Sequence, residues 1–135
     1  MTTGVSGIAV TRAADAMLRA LGGSTVSMLF PAAAMPNDPS TQLGLVDPGT
    51  EEVAFCPVVV RALTTANTGP RRRLEFLLSA TAVAETVSSR DAASAEALFN
   101  SALGMLYDGD LFHVEGVTTE YFAGTAYLYR VVAVE

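Results

Sequence analysis

Apolar residues between Thr11 and Leu21 fall at Ala14, Met17, Leu18 and Leu21, the spacing of one helical face, with Arg12, Asp15 and Arg19 on the others. Thr11 is a candidate N-cap, and Gly22-Gly23 is a stop. From Ser24 to Phe30 the period changes to two, with Val26, Met28 and Phe30 on one side and Thr25 and Ser27 on the other. That alternation predicts a half-buried strand. Between Pro31 and Thr50 the pattern dissolves among Pro36, Pro39, Gly44, Pro48 and Gly49. Even so, Met35, Leu43, Leu45 and Val46 sit inside this stretch, where a wholly solvated loop has no use for them.

Periodicity returns at Glu52 to Thr64, a long strand interrupted by Pro57, which implies either an edge strand or a bulge. A turn over 65–70 leads to Leu74 to Ala80, with Leu74, Phe76 and Leu78 on one face, so Arg71, Arg72 and Arg73 are expected at the tip of a hairpin. Ala82 to Ser88 fits a strand extension or a short helix. A further helix is predicted from Asp91 or Ser94, with Leu98, Phe99, Ala102 and Leu103 as its stripe and Gly104 as its end. Asp108-Gly109, between Leu106-Tyr107 and Leu111 to Val114, is a strong hairpin signal. A loop over Thr118 to Thr125 then precedes a last strand, Ala126 to Val134. The sum is an α+β fold, a small antiparallel β-sheet or barrel with two packed helices and a long extended loop. It forms a single domain over 1–135, with 31–50 as the Pro/Gly-rich loop.

Composition narrows the function. Half the residues are apolar and 16% are charged, which excludes a disordered chain and fits either apolar surface left for a partner or a compact Ala- and Val-rich core. No run reaches the roughly 18 apolar residues of a membrane-spanning helix. The first twenty positions do not read as a secretory signal. All basic side chains are arginine, and the net charge of −6 argues against a protein that grips nucleic acid.

The search for chemistry is short. His113 is the only histidine and Cys56 the only cysteine, so a two-histidine metal site and a structural zinc site are excluded. Cys56, between Phe55 and Pro57, is expected to be a small buried hydrophobe. His113 and Glu115 could form an acid–base pair, and a sheet-surface pair is the simpler account. Asp108 belongs to a turn, and Asp110 follows it. No nucleophile elbow, phosphate loop or dinucleotide fingerprint is present. The expectation is a non-enzyme without cofactors. Arg71, Arg72 and Arg73 could meet DNA or an acidic neighbour, or form a solvated turn.

The run from Met105 through Leu106-Tyr107-Asp108-Gly109-Asp110-Leu111-Phe112-His113-Val114-Glu115-Gly116 to Val117, followed by Tyr127-Leu128-Tyr129-Arg130-Val131-Val132-Ala133-Val134, resembles the ending of head–tail joining proteins of long-tailed bacteriophages. There a hairpin and a closing strand of the Tyr-Arg-Val-x-x-Val type complete a small barrel. The resemblance implies a structural virion protein of the neck, a stopper, adaptor or head-completion component made in the host cytoplasm. It would form a homo-oligomeric ring between the portal or adaptor ring and the tail proteins. DNA would pass nearby without specific binding, and an acidic ring lumen would help it slide. A tail terminator or another tail-associated ring is the nearest alternative. A cytosolic β-barrel that binds a small ligand is the alternative of another class, and it would show one deep pocket where a neck subunit shows none.

Overall fold

A computed structural model describes residues 7–32, 49–63 and 71–135. It contains helices α1 (Gly7–Ala20), α2 (Ala80–Ser89) and α3 (Ala95–Ser101). Its strands are β1 (Ser24–Pro31), β2 (Thr50–Leu63), β3 (Arg73–Ser79), β4 (Gly104–Tyr107), β5 (Asp110–Phe122) and β6 (Thr125–Val134). The strands close into an antiparallel barrel in the order β1-β2-β3-β6-β5-β4. The expected α+β barrel is present, with three helices among the described residues because Ala82 to Ser88 is helical.

Alternation along each strand fills the lumen. Val26, Met28 and Phe30 point inward from β1, Phe55 and Val58 from β2, and Leu74, Phe76 and Leu78 from β3. Met105, Phe112, Val131 and Ala133 complete the interior. Phe76 meets Phe112 edge-on at 6.2 Å and Tyr107 at 6.0 Å, the geometry that ring quadrupoles favour. A small barrel filled in this way has no room for a ligand in its centre.

β2 resolves the Pro57 question. Val58 pairs with Ser24 of β1 and Leu78 of β3, so β2 is not an edge strand there. From Val26 to Ser24, β1 takes two steps while β2 takes three from Phe55 to Val58. This is a bulge at Cys56-Pro57, where the missing proline N–H interrupts no ladder bond. The bulge also corrects the expectation for Cys56. Phe55 and Pro57 are buried while Cys56 faces out and is exposed, because it falls on the outward phase of the strand.

The helices depart from their predicted outlines. Thr11 lies inside α1 and donates to the Gly7 carbonyl at 2.9 Å, so it does not cap the helix. The buried face of α1 is Asp15 and Leu18, not the full apolar stripe, and Met17 and Leu21 remain 63% and 65% exposed. α1 lies on the outside of the barrel, over β6 with β2 and β3. Gly22 turns at φ +83°, and a Cβ on Gly23 would overlap Pro57 and the Leu18 carbonyl, so only glycine permits this entry into β1. α3 stops at Ser101, and Ala102 and Leu103 run extended into β4 because Leu103 N–H bonds the Leu29 carbonyl at 2.7 Å. Val83 of α2 with Leu98 and Phe99 of α3 joins the core from one end of the barrel.

The largest correction concerns β5. The expected loop over Thr118 to Thr125 is mostly strand, and the turn is Ala123-Gly124 with φ of 51° and 79°. Asp108-Gly109 turns in the same way, at 53° and 80°. Alanine in the left-handed region is a weaker sequence signal than aspartate, which explains the miss.

Asp15 joins α1 to the barrel. Its carboxylate accepts from Ser79 Oγ at 2.7 Å and Thr81 Oγ1 at 2.9 Å. Ser79 Oγ also accepts from Ala82 N–H at 3.3 Å as the N-cap of α2, so the acid stands beside that helix's positive end. Replacing Asp15 with Ala removes two charge-assisted bonds and should lower stability by about 2–3 kcal/mol. Urea unfolding checks this, and an unchanged midpoint would show that α1 is held by Leu18 alone.

Candidate functional site

Of the expected interaction residues, Met35, Leu43, Leu45 and Val46 lie outside the described residues, as does most of the 31–50 loop. The arginine run is described: Arg71 and Arg72 belong to the connection from β2 to β3, and Arg73 begins the strand. Arg73 is paired with Leu63 and Val134, because the ladder extends further than its apolar residues suggest. Arg71 is exposed and has no ion pair among the described residues.

Arg72 and Arg73 are engaged within the chain. Arg72 Nε bonds Glu135 at 2.7 Å and its NH2 contacts the Asp110 carboxylate, while the guanidinium lies 5.2 Å from the Phe112 ring centre. The bond to Glu135 leads in raising the Arg72 pKa above its usual value; desolvation opposes the rise, and the charges of Glu135 and Asp110 add to it. Arg73 holds Glu115 at 2.7 Å. These contacts tie the start of β3 to β5 and the C-terminus.

Arg90, which the sequence did not single out, repeats the device at the other end of the barrel. Its guanidinium stacks 4.2 Å from the Phe30 ring centre and pairs with Glu51 at 3.0 Å. Each end of the lumen thus has an arginine over a buried phenylalanine, a cation–π contact reinforced by carboxylates. Nothing in a linear sequence marks Arg90, since both its partners come from strands distant in the chain.

The described residues form a groove of about 780 Å³ between α3 and β5. Phe99 and Leu103 line one wall, and Val117, Thr119 and Tyr129 line the other. Glu96, His113 and Glu115 supply its polar groups. The predicted His113–Glu115 pair therefore borders this groove. Glu115 is the extra residue of a bulge between Val114 and Gly116, and its carboxylate is turned to Arg73. This cleft lies outside the filled lumen, on the outer side of the barrel. Among the described residues no group of three or more His, Cys, Asp or Glu side chains is placed to hold a metal.

Tyr129 packs against Phe99 with ring centres 5.6 Å apart. Burial raises its pKa above the ordinary 10.0, and the nearby Tyr121 adds to the shift. A raised value in the folded state favours the neutral phenol, so its contribution to stability is intact below about pH 10 and is lost as pH rises further. Tyr129→Phe should remove the last-ionising phase from a phenolate absorbance titration and soften the alkaline loss of stability. An unchanged titration curve would place the shift elsewhere.

Comparison with family models, with curated proteins and with solved structures gave no match in any of the three, so no family is assigned to the chain.

Proposed function

We propose that this chain is a structural, ring-forming subunit of a tailed-phage neck, positioned between portal and tail. One observation carries the reading. The barrel interior is filled, yet large apolar side chains stay exposed on its outside, at two places besides Leu103 of the groove. Met17 and Leu21 form one, at the C-terminal end of α1. Tyr121 and Phe122 lie at the other, the β5–β6 turn, where the Gly7 backbone at the start of α1 comes against Thr125. Ile8 and Leu21 are thirteen positions apart, or roughly 20 Å along a helix.

Two unlike apolar surfaces on one subunit support a heterologous contact, in which each copy offers one surface to a neighbour's other. Such a contact closes into a ring when its rotation divides a full turn. The C-terminal resemblance points the same way, and an acidic subunit suits a channel through which DNA slides. The reading includes the absence of catalysis: His113 and Glu115 act as surface residues, and Glu115 serves Arg73.

Negative-stain imaging of the purified protein should show closed rings. Leu21→Asp and Tyr121→Asp should each abolish them while leaving the melting curve within a few degrees of wild type. A monomer at every accessible concentration would overturn the proposal.

Exposed His113 and Cys56 give a separate check. His113→Gln with Cys56→Ser should change stability by less than about 0.5 kcal/mol and leave ring formation intact. Lost assembly in a folded double variant would give these residues a role that the reading denies them.

A further inference from the structure

β5 is paired unevenly. β6 accompanies it from His113 to Phe122, whereas β4 pairs only with Asp110, Leu111 and Phe112. On the β4 side, residues 113–122 have no neighbouring strand among the described residues. The cause is local. β4 is four residues long, and the chain just before it folds back as α3 instead of continuing along β5. The groove between α3 and β5 runs beside this open edge.

From this geometry we infer that the groove is a docking site for an extended, basic peptide segment of a partner protein, which pairs with β5 as an added strand. An open edge offers alternating main-chain donors and acceptors, and an extended backbone is their complement. Phe99, Leu103 and Val117 receive alternate aliphatic side chains. The charge of the groove selects the rest of the occupant. Of the two carboxylates that line it, Glu115 is paired with Arg73 and Glu96 carries the free negative charge, and no arginine is among the lining residues. Glu96 has no ion pair among the described residues. A second copy carries the same net charge of −6, so the segment comes from a chain of opposite charge. This inference is independent of the ring proposal, since a monomer with the same edge would bind the same segment.

The test uses the unmodified protein and an eight-residue peptide alternating arginine and valine. Amide hydrogen exchange and backbone NMR are followed during titration. Binding should saturate, weaken with salt, and slow exchange at least tenfold for amides within residues 114–122. A peptide of the same sequence with alternate N-methylated residues should lose that protection, as should one with glutamate replacing arginine. Glu96→Gln should weaken the arginine peptide severalfold with the fold unchanged.

Equal binding of the N-methylated peptide would reduce the effect to charge alone and overturn strand addition. So would no binding at millimolar peptide, or perturbations confined to another face. Protection of 114–119 that grows with protein concentration, without peptide, would identify a second copy as the occupant and overturn the choice of partner.

Discussion

Closure of the barrel rests on one short ladder. β1 meets β4 through three residue pairs, Ser27 with Leu106, Met28 with Met105 and Leu29 with Gly104. Without it the six strands form an open sheet, and the inward faces of Met28, Met105 and Phe112 lose their enclosure. The pairing tolerates no side chain at position 104, where a Cβ would overlap the Phe112 carbonyl and the Leu111 side chain. Burial of large side chains at about 25 cal/mol per Å² of apolar area supplies the gain that holds so brief a ladder together.

The same shortness shapes the surface. Because β4 begins only after α3 has ended, β5 continues beyond its neighbour and leaves both an edge and a groove. The bulges at Val114/Gly116 and Glu120/Tyr121 belong to this overhanging part, where the hairpin with β6 twists without a third strand. Bulges and charge are ordinary protections for an edge. Here the Glu115–Arg73 pair and the Glu120–Arg130 pair, the latter at 3.1 Å, place charge along the overhang.

Charge inside the chain acts chiefly at the ends of the barrel. Arg72 and Arg90 each lie over a buried aromatic ring and are held by carboxylates, so they close the lumen where strands can no longer do so. The Arg72 pairs stand in solvent, where water and salt weaken them. The stacking of Arg72 and Arg90 on Phe112 and Phe30 adds a contact that salt screens less. Two of the three arginines in the basic run therefore have local partners, and the run cannot be read as a free cationic tip.

By itself the sequence determined the strand phases and most turns. Val26, Met28 and Phe30, and Leu74, Phe76 and Leu78, were legible as inward faces because a two-residue period survives in the residues themselves. Asp108-Gly109 was legible because a positive φ restricts residue choice. The resemblance of the C-terminal run, and the function drawn from it, also came from sequence. Tertiary structure alone decided the rest. Asp15 looked like a solvated helix position until Ser79 and Thr81, more than sixty residues away, gave its carboxylate two donors. Cys56 turned outward because a bulge set its phase, and the groove at β5 arose from the unequal lengths of two neighbouring strands. Local preference is written in each residue, but which groups meet across the barrel depends on register and closure, and no local pattern encodes those.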